Sequence, residues 1–289
     1  MAGNLSYCPL CKRRRKTAYW NYDEEKNIWM HCCACNATYT LAALTKRVGI
    51  KVAMKYLDRI KNNIIQPSDT ASDSLQRIAW PADYISINST IAKEGQDYIL
   101  SRGLSLEGQL YYDKEINGIV FPLYYQGVFC GAQTRLIVPW IKEDGKPQKM
   151  TTLEGTKKSL LFYNWDQNPF PRLYKGIIVT EGAFDTLAIE QALNALYGPI
   201  TNPFKTIATM GSGVSEYQVS VLNGLKEAGY KVILAPDFDP AGFIMFDKSK
   251  KAITHVMTTD EKGKDWNMLL KEMGHVEFAK YILTKIKPV

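Results

Sequence analysis

The sequence predicts an α/β protein in which a small cysteine-bearing module precedes a larger body. Three observations carry that expectation. After Lys175, β-prone runs alternate with segments of helical apolar spacing, the pattern of a mostly parallel sheet covered by helices. Near the amino end, four cysteines stand as C-x2-C-x20-C-x2-C. The charge is also uneven: residues 1–62 hold 12 Lys/Arg against 4 Asp/Glu, a balance of +8, and residues 63–289 hold 24 against 25, a balance of −1. A chain of 289 residues with 46% hydrophobic side chains can build two domains and a sizeable core, and is too apolar for a disordered chain. No stretch approaches the ~18 apolar residues of a membrane span, and the opening Met1-Ala2-Gly3-Asn4 lacks a signal-peptide core. A soluble intracellular protein without membrane association is expected.

In the body, strands and helices alternate along the chain. Residues 176–180, Gly-Ile-Ile-Val-Thr, form a buried-strand run, and residues 183–195 carry helical spacing. Residues 206–210 are again strand-like, followed by Gly211-Ser212-Gly213 and a helix over 215–228. Residues 231–235 give a third strand, with a helix after Pro240-Ala241-Gly242, and residues 255–258 a short fourth strand. Cys130, in an apolar strand-like segment, is expected as a small core residue.

In the amino-terminal module, Cys8, Cys11, Cys32 and Cys35 have the spacing of a tetrahedral four-thiolate site for one structural Zn²⁺. Two β-prone runs, residues 17–22 and 27–31, lie between the knuckles and predict a zinc-ribbon hairpin. Disulfides would need an oxidising compartment that nothing in the sequence advertises. Cys33 is one residue out of register with the knuckle. The run Lys12-Arg13-Arg14-Arg15-Lys16 sits beside Tyr19, Trp20, Tyr22 and Trp29, cations for phosphates next to rings for bases. A helix over residues 41–64 adds Lys46, Arg47, Lys51, Lys55, Arg59 and Lys61. Nucleic acid binding is the expectation for this module. The polar stretch after it reads as a flexible linker.

Ligands of parallel sheets gather at the carboxyl ends of the strands. Two predicted strands deliver acids there. The first ends at Glu181-Gly182 with Asp185 one turn on, and the third at Asp237-Phe238-Asp239. Hard oxygen ligands so placed suit Mg²⁺ or Mn²⁺. The alternative for each acid alone is a helix cap or a first-turn charge that meets the dipole. Together they predict a metal-dependent phosphoryl-transfer site.

The residues resemble a known family. Glu181-Gly-Ala-Phe-Asp185, Thr209-Met-Gly-Ser-Gly213 and Asp237-Phe-Asp239-Pro-Ala-Gly242 resemble the successive motifs of the TOPRIM domain in bacterial-type, DnaG-like DNA primases. Lys264-Asp265-Trp-Asn267-Met-Leu-Leu270 resembles their later acidic motif. Upstream, Tyr98-Ile-Leu-Ser-Arg-Gly-Leu-Ser105, Asn117-Gly-Ile-Val-Phe-Pro-Leu-Tyr124 and Gly131-Ala-Gln-Thr-Arg135 are similar to the amino-terminal half of the primase core, and His31-Cys-Cys-Ala-Cys35 to the second zinc knuckle. The resemblance implies a zinc-binding domain at 1–62, a linker at 63–80, an amino-terminal core subdomain at 81–175, a TOPRIM domain at 176–262 and a helical segment at 263–289. It implies a DNA-directed RNA polymerase that makes short RNA primers from ribonucleoside triphosphates on single-stranded DNA. By motif position, Glu181 is the catalytic glutamate and Asp237 and Asp239 the metal-binding pair, with Asp185 and Asp265 completing a site for two Mg²⁺ or Mn²⁺. Arg135 and Lys149 match basic positions along the template and nucleotide path.

The departures are informative. Phe238 stands where the family's Asp-Gly-Asp has glycine, and Asn267 where many members carry a second acid. Cys11 replaces the histidine common in cellular bacterial primases, which is more like phage primase–helicases. No P-loop is present, so a stand-alone phage or plasmid primase in the cytoplasm of a bacterial or phage-infected cell is expected, with any replicative helicase on a separate chain. Two other readings remain open: a non-catalytic zinc and TOPRIM factor similar to recombination mediators of the RecR kind, which lack the long segment 81–175, and a TOPRIM nuclease.

Overall fold

The computed structural model describes residues 75–289 except 109, 166–173, 212 and 260–262, and four strands as backbone within residues 1–74. The chain divides into two compact units, one holding residues 1–66 and the other nearly all of the rest.

In the first unit, β1 (Gly3–Tyr7), β2 (Arg14–Tyr22), β3 (Ile28–Cys32) and β4 (Ala37–Thr40) form an antiparallel sheet in chain order. The expected hairpin is β2 and β3, paired from Ala18 opposite Cys32 to Tyr22 opposite Ile28. Tyr7 at the carboxyl end of β1 lies opposite Arg14, so β1 and β3 both run out at the end of the sheet where β2 begins. Cys32 closes β3 and Arg14 and Arg15 open β2; the side chains of all three, together with Cys8, Cys11, Cys35, Arg13 and the helix expected over 41–64, lie outside the described residues.

The second unit contains two five-stranded sheets. The first is antiparallel, ordered β5 (Tyr84–Ser86), β6 (Tyr111–Asp113), β7 (Gly118–Tyr125), β8 (Val128–Ile141), β9 (Pro147–Thr152), with helix α1 (Lys93–Ser101) between β5 and β6. β7 and β8 turn through Gln126 and Gly127, at φ 51° and 78°, the backbone that matches the twist of a two-residue hairpin. Successive residues of β7 alternate between faces: Ile119, Phe121 and Leu123 enter the large core, while Val120 joins a smaller cluster on the other face. Cys130 is buried, as expected of a small core residue.

The second sheet is ordered β11 (Phe204–Ala208), β10 (Gly176–Thr180), β12 (Lys231–Leu234), β13 (His255–Val256), β14 (Lys287–Pro288). The first four strands are parallel and β14 is antiparallel to β13. The crossovers are α2 (Ala183–Tyr197), α3 (Glu216–Glu227) and α4 (Pro240–Ser249), and α5 (Trp266–Met273) and α6 (His275–Lys285) complete the unit. β10 is buried along its whole length, which is why its sequence reads as an unbroken apolar run. One core joins both sheets, from Ile99 and Phe121 through Ile178, Leu187 and Ile233 to Trp266 and Phe278.

From β10 the chain crosses to β11 on one side; from β12 it crosses to β13 on the other. Neighbouring parallel strands whose connections leave in opposite directions open a crevice at their carboxyl ends. It lies between β10 and β12. Among the described residues, no helix is long and apolar enough to cross a membrane.

Candidate active site

Glu181 follows the last residue of β10, and Asp237 lies three residues beyond the end of β12. The pairing of these strands continues past the sheet, with Ala235 N–H donating to Val179 O at 2.8 Å, and so holds the two loops side by side. Asp185 lies in the first turn of α2 and is 7% exposed. Asp239 caps α4, its carboxylate accepting from Gly242 N–H at 2.8 Å. Asp265 caps α5 in the same way, accepting from Met268 N–H at 2.7 Å. The capping role is therefore real for two of the acids, and each still has a second carboxylate oxygen. Gly242 has a steric reason: a Cβ there would stand 2.0 Å from Asp237 O, so only glycine lets α4 start this close to the loop.

The five acids that the sequence singled out are brought within electrostatic reach of one another. Burial, then the Asp237 and Asp239 charges, push Glu181 up to about 7, against a smaller opposing pull from the Asp237 backbone N–H. Burial and the charges of Asp265 and Asp239 push Asp237 up to about 6. Asp185 is raised well above the carboxylate range by burial, then Asp237 and Asp265; the Asn267 N–H and Arg102 oppose this. Glu181 Oε1 is buried with no hydrogen-bond partner. Among the described residues, no three His, Cys, Asp or Glu side chains form a ready-made metal cage. A hard cation that keeps its waters and shares substrate phosphates needs only one or two protein carboxylates, and an under-partnered acid cluster suits that mode. The donor set and the orphaned oxygen fit Mg²⁺ or Mn²⁺.

Asn267 does not replace an acid within this cluster. It is 3% exposed, its Oδ1 accepts from Arg102 Nη1 at 2.7 Å, and its Nδ2 donates to Arg102 O at 3.0 Å. Its backbone N–H donates to Asp185 Oδ1 at 3.1 Å. Arg102, the residue after α1, stacks over Phe184 at 4.2 Å and Tyr98 at 5.2 Å. A side-chain pair thus ties the antiparallel half to the acid loop. Sequence reasoning gave Arg102 no role, and its 165-residue separation from Asn267 left no local signal to find it.

Thr209-Met-Gly-Ser-Gly213 runs alongside Glu181: Thr209 N–H donates to Thr180 O and Met210 N–H to Glu181 O, both at 3.1 Å. Met210 is buried at φ 63°, a costly conformation for a residue with a side chain. Lys158, also unremarked in the sequence, donates to Met210 O at 3.1 Å and steadies that turn.

Arg135 and Lys149 are not gathered with the acids. Arg135 lies on β8 opposite Ile119 and Met150, on the face that carries Phe121 toward the parallel half, where Phe121 meets Phe184 at 5.1 Å. Lys149, beside Met150 on β9, is exposed and falls on the alternate pleat.

Comparison with known proteins bears on the fold that carries this site. Residues 178–270 match the model of the Toprim-like family. No curated protein matches the sequence. Of the solved structures, the zinc-binding and RNA polymerase domains of the Aquifex aeolicus primase are 16% identical with a TM-score of 0.50, covering 96% of this chain and 81% of that one. The DnaG primase catalytic domain bound to single-stranded DNA is 16% identical with a TM-score of 0.49, covering 70% of this chain and 74% of that one. The primase fragment of the bacteriophage T7 primase-helicase protein is 14% identical with a TM-score of 0.42, covering 97% and 99%. At these identities the likeness is one of fold: the chain has the architecture of DnaG-type primases, with a Toprim-like domain.

Proposed function

We propose that this chain, built on the fold of DnaG-type primases, is itself a primase that synthesises short RNA on single-stranded DNA. The observation that carries the reading is the convergence of Glu181, Asp185, Asp237, Asp239 and Asp265 on the crevice between β10 and β12, inside the segment that matches the Toprim-like family. In this reading Glu181, Asp237 and Asp239 hold two Mg²⁺ or Mn²⁺, with Asp185 and Asp265 behind them. When bound, the cations supply a lowered pKa for the attacking 3′-hydroxyl and charge neutralisation at the departing pyrophosphate. The chain's own residues do the placing. Asp239 and Asp265 are fixed as helix caps, and Asp185 is oriented by the Asn267 N–H. The Met210 turn, held by Lys158, fixes the backbone of Glu181. Ribonucleoside triphosphates are the substrates, and the 3′-oxygen of one attacks the α-phosphorus of the next.

Template binding falls to residues outside the acid cluster. Arg135 faces the acid-bearing half and lines the strand's path, with Lys149 adding charge from the alternate pleat. Residues 1–62 hold template through Arg13, Arg14 and Arg15 around one zinc bound by Cys8, Cys11, Cys32 and Cys35. The topology supports that set, because the connections carrying the cysteines leave the sheet from one end. In this reading the domains are a zinc-binding domain at 1–62, a linker over 63–80, a core subdomain at 81–175, a TOPRIM domain at 176–262 and a helical segment at 263–289. A replicative helicase belongs to a separate chain.

The test is incubation with circular single-stranded DNA, Mg²⁺ and labelled ribonucleotides. Short RNA that disappears in Glu181→Gln and Asp237→Asn is expected. No RNA on any of several templates overturns the reading, and metal-dependent loss of the DNA instead points to a nuclease built on the same acids.

A further inference from the structure

Phe238 separates the two aspartates of the β12 loop, and its ring is left partly outside the core. The turn does not require glycine there, since Phe238 is not at positive φ. It is 37% exposed and meets Phe243, 62% exposed, with ring centroids 5.9 Å apart and planes tilted by 58°. Phe243 sits in the first turn of α4, one residue after the Gly242 that caps on Asp239, and the neighbouring Ile244 is 53% exposed. Two unburied rings and an isoleucine thus stand at the lip of the carboxylate crevice. Exposed apolar surface gathered at one place marks a binding site more often than a tolerated defect.

We infer that Phe238 and Phe243 form a stacking platform for a nucleobase of the strand or nucleotide handled at the acid cluster. The inference rests on the proposed function for the identity of that substrate and adds the residues that hold its base. The place selects the occupant. Phe238 lies between Asp237 and Asp239, where the proposed function puts the cations that take the phosphates, so the base of the same nucleotide is the part left to meet the exposed rings, and a base–aromatic stack needs no hydrogen-bonding code. A base stacked here directs its own sugar-phosphate toward the acids. An apolar protein surface seated on the same rings would instead cover the crevice. The base can come from the DNA strand or from a ribonucleotide.

Photo-cross-linking separates the two sources and needs no turnover. One arm uses a single-stranded oligonucleotide carrying 5-iodouracil, the other 5-iodouridine triphosphate with Mn²⁺; adducts on the full-length protein are mapped by mass spectrometry. An adduct on Phe238 or Phe243 in either arm is expected, together with its loss in Phe238→Leu/Phe243→Leu, which keeps the apolar area but removes the rings. For the ligand that cross-links, the dissociation constant should rise about ten-fold in the leucine variant and recover in Phe243→Trp. Adducts confined to other residues in both arms, or unchanged affinity in the leucine variant, overturn the platform. The two readings fail separately. A protein that cross-links at these rings but makes no RNA keeps the platform and loses the primase reading; one that makes RNA without such adducts does the reverse.

Discussion

The two sheets of the second unit solve different problems. In the parallel sheet, β10 is five residues long and wholly buried, so this part of the chain meets solvent only where the strand ends. In the antiparallel sheet, β8 runs for fourteen residues and leaves the core behind: Val138, Trp140 and Ile141 are exposed, and Arg135 is only half-buried. The short buried strands fix where charge sits to within a residue, because the ladder that builds the core also sets the loops. The long strands offer surface along which an extended ligand can lie. In the proposed function the two sheet architectures divide the work, the parallel half carrying the acids and the antiparallel half the template track, and the Arg102–Asn267 pair joins them.

The largest expected effect breaks the chemistry and spares the fold. Glu181→Gln should lower nucleotide incorporation by on the order of 10³-fold while thermal unfolding stays close to the parent's. Equal losses of activity and folded protein would make Glu181 a structural residue. Next is Gly242→Ala, where the added methyl meets Asp237 O; a loss of roughly 2–3 kcal/mol in denaturant unfolding is expected. Asn267→Ala tests the junction. It leaves the half-buried Arg102 guanidinium without its Asn267 acceptor, at a cost of about 1–3 kcal/mol, and unlike Gly242→Ala it should also loosen α1 in hydrogen exchange.

On the track, Arg135→Ala should weaken single-stranded DNA binding more than Lys149→Ala. Replacing Arg13, Arg14 and Arg15 together should flatten the salt dependence by about 0.7 in slope for each phosphate that is no longer neutralised. Binding that is unchanged across salt would return the arginine run to a solvated loop.

The smallest effect is in pH. Glu181, Asp185 and Asp237 all have folded pKa values raised above the unfolded ones. The folded state then binds more protons than the unfolded state between about pH 4 and 7, so these groups make the metal-free protein less stable as pH rises through that window. Asp185→Asn should flatten the decline, and Mg²⁺ should raise the melting temperature of the parent more than that of the variant.

Much of the parallel half was legible because buried strands announce themselves. Gly176–Thr180 is the strand the apolar run foretold, while α4 opens at Pro240, before the start expected after Pro-Ala-Gly, because Asp239 caps it and proline suits a first helical position. The second strand was expected over 206–210 and runs Phe204–Ala208; it stops early because Met210 turns to positive φ under Glu181, which no local pattern encodes. Four of the acids were legible at predicted strand ends, and Asp265 came only from the resemblance to the primase family's later acidic motif. What the acids do to one another was not legible, since the rise of Glu181 to about 7 depends on Asp237 and Asp239 from another loop. Asn267 illustrates the same limit. In sequence it is a missing acid, whereas in three dimensions it is the partner of Arg102.

Template direction is the central claim and can be measured directly. With homopolymeric single-stranded DNA flanked by mixed sequence, Mg²⁺ and one labelled ribonucleotide at a time, incorporation should follow the complement of the template base and vanish in Glu181→Gln. Incorporation indifferent to the template base, or none with any ribonucleotide, would contradict a primase.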